Sequence, residues 1–322
     1  METKTVIPVF FSIDDKYAPY LAVAIASLID NASKKYDYNI IVLHKGVKAE
    51  YQRRIKALAR EGFSIDFHSI NSELRTISAE YAGNKLACLD RFTLTIFFRL
   101  FIPDMFPQYD KGIYLDSDTC VVGDISELYN IDLKDKYLAA CPDWSIQEIK
   151  PFTDYVIKVV GVDRSLDYIN SGILLMDLKT LREVQMGPRF LEINNKYHFD
   201  SVAPDQDYIN AMCKGRIHYL DACWDAMPNN NHPAQKDPKI IHYNLFEKPW
   251  LHDGVQYEEY FWKYAPLSGF LEEINAFKAS VTEESLAALR ANGANMVKVA
   301  IELYSKDNNM ADVFASGAEK RL

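Results

Sequence analysis

Asp116 and Asp118 flank a single serine at the end of the apolar run Ile113-Tyr114-Leu115. That run has the length and composition of a buried strand. Residues two apart in an extended chain point to the same side. The two carboxylates therefore aim at one point just past the strand's C-terminal end, the edge where open α/β sheets bind ligands. Converging carboxylates repel each other unless a cation lies between them. A hard divalent ion such as Mg²⁺ or Mn²⁺ suits oxygen ligands and commonly bridges to phosphate. The chemistry indicated is a metal–phosphate site. Asp also serves turns and caps, so the bare pattern has a plainer reading that the rest of the chain must decide.

Other residues of the right types follow strand ends or open helices. Asp14-Asp15-Lys16-Tyr17 comes after the apolar stretch Thr5 to Ser12 and before Tyr20 to Ile29. Strand, polar turn and helix make the opening of a nucleotide-binding α/β unit, although Pro8 cannot donate to a sheet ladder. At least one of Asp14 and Asp15 is expected to cap the helix. Arg99, between Phe98 and Leu100, either holds a phosphate or carboxylate through its fork or makes a structural ion pair. Arg91 precedes it on the same predicted helix, Arg91 to Phe101. Asn170-Ser171-Gly172 is a polar turn ahead of an apolar strand, Ile173 to Met176. Asn170 there bonds a sugar hydroxyl or closes an Asx turn, and the spacing favours the turn. Pro204-Asp205-Gln206-Asp207 has ordinary helix-start chemistry, yet three such side chains in a row would also suit a polyol. His242 ends the short strand Lys239 to His242, as a third metal ligand or a structural imidazole. Lys248 offers a cation for a phosphate.

The elements that must position these groups alternate. Strands are predicted at Asn39 to His44, Phe63 to Ile70, Val121 to Ile125 and Tyr137 to Cys141, with a helix over Val47 to Arg60. The pattern implies a mostly parallel sheet flanked by helices. No G-x-G-x-x-G and no G-x-x-x-x-G-K-[ST] occurs, so phosphate must be held in another way. Pro266 is the expected boundary between a domain of residues 1–265 and an extension, 266–322, that contains an amphipathic helix over Thr282 to Leu303.

The 322 residues carry a net charge of −9, which argues against a general nucleic-acid binder. Cys88, Cys120, Cys141, Cys213 and Cys223 are odd in number and widely spaced, which argues against a disulfide framework or a zinc site. No stretch is long and apolar enough for a membrane span, and the N-terminal run is too short for a signal peptide. A cytoplasmic protein is expected.

Several blocks, taken in order, resemble glycosyltransferase family 8, particularly the bacterial galactosyltransferases and glucosyltransferases that build lipopolysaccharide and other surface glycans. They are S-I-D-D-K-Y at the start, F-F-R-L at 97–100, Y-L-D-S-D at 114–118, Y-I-N-S-G at 168–172, P-D-Q-D at 204–207, M-P at 227–228 and H-Y-x5-P-W at 242–250. Their joint order makes the resemblance specific from about Val6 to Trp250. It implies a GT-A fold and a retaining transferase that uses a UDP-sugar with Mn²⁺, Mg²⁺ being the other candidate. It implies Asp116, Asp118 and His242 as metal ligands. Asp14 and Asp15, in the first turn, would meet the nucleoside. Arg99, Asn170 and Asp205 would hold the donor sugar, Gln206 would face the anomeric carbon, and Lys248 would sit on the diphosphate. An amide is a weak nucleophile, so attack from the leaving-group face is favoured. Asp205 or Asp207 as a covalent nucleophile is the minor alternative.

Two positions depart from the family pattern. Lys16 stands where many members have Asn, and Leu245 where a Gly often follows the His by three. The acceptor is expected to be a glycan or glycolipid, with peripheral membrane contact at the inner face of the membrane. Two rival readings are a haloacid-dehalogenase-type phosphohydrolase, whose expected Thr is Cys120 here, and an inactive UDP- or glycan-binding module.

Overall fold

The computed structural model describes residues 4–70 and 97–322. Arg91 lies outside the described residues. Among those described, nine strands run in chain order: β1 (Val6–Ile13), β2 (Asp37–His44), β3 (Phe63–Ser69), β4 (Lys111–Leu115), β5 (Thr119–Val121), β6 (Leu138–Ala140), β7 (Ile173–Asp177), β8 (Ile217–Tyr219) and β9 (Ile240–His242). The chain divides into two compact units. One comprises Met1–Ile70, Gly112–Asp132 and Asp221–Arg290; the other comprises Asn71–Lys111, Leu133–Leu220 and Ala291–Leu322.

In the first unit β3, β2, β1 and β4 follow one another across a parallel sheet. Pro8 stays inside β1, opposite Asn39 of β2 and one residue before the pairing with β4 begins at Val9. Its missing N–H therefore falls where β4 makes no claim on it. The Ala18–Asn31 helix is apolar on nearly every face because it is buried on nearly every face. Two of its polar side chains near the end have defined tasks. Ser27 Oγ accepts from the Val121 N–H at 2.9 Å, and the Asn31 amide donates to the Val121 carbonyl at 3.0 Å. These bonds fix the short strand β5 against the helix. The stretch expected as a strand over Val121 to Ile125 is instead the end of β5, a bend and the helix Ile125–Tyr129. Asp124 stops the strand by capping that helix, its carboxylate accepting from the Ser126 N–H at 3.0 Å. Pro266 lies in a 3₁₀ turn, Ala265–Ser268, within this unit.

In the second unit β6 is antiparallel to β7 and parallel to β8. Phe190, on the Met186–Tyr197 helix, packs against Phe97, Phe101 and Tyr208. The Pro204–Met212 helix is buried from Asp205 to Met212, so its polar first turn faces protein. The C-terminal residues close this unit. Glu319 accepts from Lys196 at 2.6 Å and from Tyr197 at 2.9 Å, and pairs with Arg189.

Gly161 ends the Val156–Val160 turn with φ +91°, and a Cβ there would lie 2.9 Å from the Ala311 Cα. Strain and a backbone clash then act together. Gly161→Ala is expected to cost about 2–4 kcal/mol, read from the urea midpoint.

The Glu319 carboxyl is pulled from 4.5 down to about 2, chiefly by its Lys196 hydrogen bond, with Tyr197 and Arg189 adding to it against burial. A folded-state value below the unfolded one stabilises the protein above about pH 4.5, and that stabilisation is lost as pH falls toward 2. Glu319→Gln should lower stability by about 1–2 kcal/mol near neutrality and by progressively less across that window. Thermal melts of both proteins from pH 7 to pH 3 check this, and a difference that does not shrink refutes it.

Candidate functional site

Two clusters of functional side chains form, one in each unit. In the first, β4 ends at Leu115 and the chain turns through Asp116-Ser117-Asp118 into β5. β5 pairs antiparallel with β9 so that Thr119 stands opposite His242. The Tyr243 N–H also donates to the Asp118 carbonyl at 2.9 Å. This register brings His242 to the two acids. Its Nε2 lies 3.4 Å from Asp118 Oδ1 and 3.9 Å from Asp116 Oδ2, and one ligand atom from each residue fits within a mutual 4.8 Å. A small octahedral ion with ~2.1 Å bonds holds neighbouring ligands about 3 Å apart. Two carboxylate oxygens and one imidazole nitrogen at these separations fit a divalent metal ion.

The other Asp118 oxygen is occupied by Lys248, whose Nζ is 2.5 Å away and also donates to the Tyr243 carbonyl at 2.5 Å. Burial alone would raise the Asp118 carboxyl, but Lys248 and His242 outweigh it and hold it below the usual range. Burial likewise opposes charge on His242, while Asp225 and Asp118 push its imidazolium up to about 10. The Tyr114 hydroxyl donates to Asp116 Oδ1 at 2.8 Å.

Asp14 caps the Asp15–Tyr17 turn, accepting from the Lys16 N–H at 2.9 Å and the Tyr17 N–H at 3.2 Å. Asp15 accepts from the Lys48 N–H at 2.8 Å. Burial first, then the fields of Asp118, Asp116 and Asp14, raise the Tyr17 hydroxyl. Tyr20 stacks on Trp250 with ring centroids 4.1 Å apart, joining the first turn's helix to the loop that carries Lys248. Leu245 takes φ +49° and is 47% exposed. The backbone where the resemblance leads one to expect Gly is thus left-handed, and only the residue type departs.

In the second unit, Arg99 bonds Asp205 and Ser171. Its Nε is 3.0 Å from Asp205 Oδ2, and it donates to the Ser171 carbonyl at 2.6 Å. Gln206 is held at both ends of its amide. Its Oε1 accepts from the Ser171 N–H at 3.0 Å, and its Nε2 donates to Asp143 Oδ2 at 2.8 Å. Asn170 closes the Asx turn that its spacing favours, accepting from the Gly172 N–H at 2.8 Å, and its amide also reaches Asp143 at 3.3 Å. Arg99, Asn170 and the adjacent pair Asp205 and Gln206, from three distant stretches of sequence, therefore share one buried network.

Residues 8–254 match the family model for glycosyl transferase family 8. The chain belongs to this family. A Haemophilus influenzae relative named as a glycosyltransferase is 30% identical over 228 residues, covering 71% of this chain and 66% of its own. The Escherichia coli lipopolysaccharide 1,2-glucosyltransferase is 24% identical, covering 80% of this chain and 78% of its own. The solved structure of the galactosyltransferase LgtC with donor and acceptor sugar analogs is similar at 25% identity and a TM-score of 0.63, over 81% of this chain and 96% of that one. The fold is the GT-A fold, a mixed, mostly parallel sheet with flanking helices. Family membership removes the phosphohydrolase alternative.

For a family 8 chain, the sequence reading missed two acids. Asp143 follows β6 by three residues and has the same strand-end signal that drew attention to Asp116. Asp225 has no such signal; its place is evident only from its contact with His242 at 3.1 Å. Asp207, offered with Asp205 as the minor alternative nucleophile, is closed off from solvent. It is fully buried, and the hydroxyls of Tyr155 and Tyr168, both at 2.6 Å, with that of Ser201 and the Ala203 N–H, occupy its oxygens. Asp207→Asn turns one acceptor into a donor facing hydroxyls and is expected to cost about 2–4 kcal/mol in a urea melt. A change under 0.5 kcal/mol, of the order of ordinary surface substitutions, would show that the network is not structural.

Proposed function

We propose that the chain is a metal-dependent, retaining transferase that moves a hexose, galactose or glucose, from a UDP-sugar to a glycan or glycolipid acceptor. The single observation that carries this reading is the Asp116–Asp118–His242 triad in a family 8 chain. Asp116, Asp118 and His242 would hold a divalent ion, Mn²⁺ or Mg²⁺, which would supply Lewis-acid chemistry at the donor's diphosphate. Lys248 adds a buried positive charge against the negative charge that develops on the departing diphosphate. Asp14 and Asp15 take the nucleoside. Arg99, Asn170 and Asp205 orient the donor sugar through hydrogen bonds. Gln206 faces the anomeric carbon.

The fixed Gln206 amide supports attack from the leaving-group side. With Oε1 bonded to the Ser171 N–H and Nε2 to Asp143, it is a rigid dipole and a poor nucleophile. The leaving phosphate then takes the acceptor's proton. We assign catalysis to residues 1–265 and treat residues 266–322 as an extension that carries none of these groups. A role in cell-surface polysaccharide synthesis has support from the lipopolysaccharide 1,2-glucosyltransferase relative, and we assign that role to the inner face of the membrane. No helix among the described residues is long and apolar enough to cross a membrane.

The test is UDP release from a panel of UDP-sugars with Mn²⁺. One sugar should release UDP, EDTA should abolish release, and Asp118→Ala should lower it by at least about 100-fold. Calorimetric UDP binding on the same samples separates the remaining outcomes. Tight binding with no release from any sugar, even with glycan acceptors added, would favour a binding module. Neither binding nor release would overturn the reading.

A further inference from the structure

An imidazole ligates a metal only through a nitrogen that carries no proton, and a neutral ring has one N–H to dispose of. Which nitrogen keeps it is set by what the other side of the ring meets. In this chain that other side meets Asp225. We propose that Asp225 is the positioning residue of the metal site. It takes the Nδ1–H of His242 and so leaves the Nε2 lone pair directed at Asp116 and Asp118. The proposal rests on the metal reading above and adds a residue to it.

Three observations carry it. The first is distance: His242 Nδ1 lies 3.1 Å from Asp225 Oδ1, while Nε2 on the opposite side of the ring lies 3.4 Å from Asp118 Oδ1. The ring therefore has one carboxylate for its donor nitrogen and another for its ligating nitrogen. The second is burial: the side chain of Asp225 is 0% exposed and that of His242 3%, so bulk water cannot take over the contact if the carboxylate is removed.

The third is the backbone. β9 has a neighbour on each side. On one, Thr119 of β5 stands opposite His242. On the other, Ala226 bridges Ile241; the Ala226 N–H donates to the Ile240 carbonyl at 2.9 Å, and the His242 N–H donates to the Ala226 carbonyl at 3.0 Å. The residue next to Asp225 is thus bonded to β9 on both sides of position 241. The side chains of Asp225 and His242 are brought together by main-chain register, not by surface chance. A carboxylate at this point also raises the basicity of the ligating nitrogen, which a neutral acceptor would do less strongly.

A buried ion pair with no part in metal binding would lose stability on substitution and leave ion affinity alone. Mn²⁺ binding is measured by loss of the free-ion EPR signal on wild type, Asp225→Ala and Asp225→Asn, each first checked for folding by circular dichroism. Asp225→Ala should bind Mn²⁺ about 10–100-fold more weakly, and Asp225→Asn, whose amide oxygen still accepts the Nδ1–H, should recover most of that loss. Equal affinity in folded Asp225→Ala would overturn the proposal. If that variant does not fold, the ring is read in the wild type loaded with diamagnetic Mg²⁺. A ¹⁵N-resolved proton on His242 Nδ1 supports the proposal, and a proton on Nε2 refutes it. Wild type that binds no Mn²⁺ would count against the metal reading itself, an outcome distinct from equal binding by wild type and variant.

Discussion

Mutual repulsion among buried carboxylates is the constraint that organises the first unit's site. Asp116, Asp118 and Asp225 all approach one imidazole, and Asp118 and Asp225 are well shielded from water. Such a group of acids is stable only when positive charge offsets it. Lys248 and His242 supply the protein's share. The depressed Asp118 carboxyl and the raised His242 imidazolium are two expressions of that one balance. A divalent ion bound to the triad would take over most of it, which ties the cluster's electrostatics to its proposed use.

The scaffold for this balance is small. β5 and β9 are each three residues long, and two such strands do not persist alone in water. They hold because Ser27 and Asn31 bond β5 to a largely buried helix and because the segment through Ala226 bonds β9 from the far side. The aromatic contact between Tyr20 and Trp250 ties the loop bearing Lys248 to the same helix. Rigid support of this kind lets a ligand set keep its geometry.

The second unit uses a different device. Its network sets one cation, Arg99, against Asp205, and the amides of Gln206 and Asn170 against Asp143. Asp207, three tyrosine and serine hydroxyls and a backbone N–H form a closed set that anchors the start of the Pro204–Met212 helix. The adjacent Asp205 and Gln206 are then presented from a fixed turn. Neighbouring carboxylates in one motif thus differ in their contacts: Asp207 meets hydroxyls and a backbone N–H, and Asp205 meets Arg99 and Ser171.

Much of this was legible in the chain. Apolar runs of strand length located β1, β2, β4, β6, β7 and β9, because burial on both faces of a sheet leaves a continuous hydrophobic signature, and alternation of apolar and polar residues located the more exposed β3. Asp-x-Asp after a strand pointed to the Asp116–Asp118–His242 cluster because the direction of successive side chains is a local property of an extended backbone. Local spacing also gave the Asn170 turn and the Asp14 cap. The family blocks fixed the fold, since their order reflects the whole domain and no single motif does. Tertiary structure alone decided the partners. Asp225 reaches His242, Asp143 reaches Gln206, and Lys248 reaches Asp118 across stretches of chain whose separation carries no periodicity. It also ended the expected Val121 to Ile125 strand early, because Asp124 caps a helix there, and it closed every oxygen of Asp207. Sequence records which groups exist and which way a strand or turn points them. Which charge meets which is set by register between distant segments, and register is settled only when the core packs.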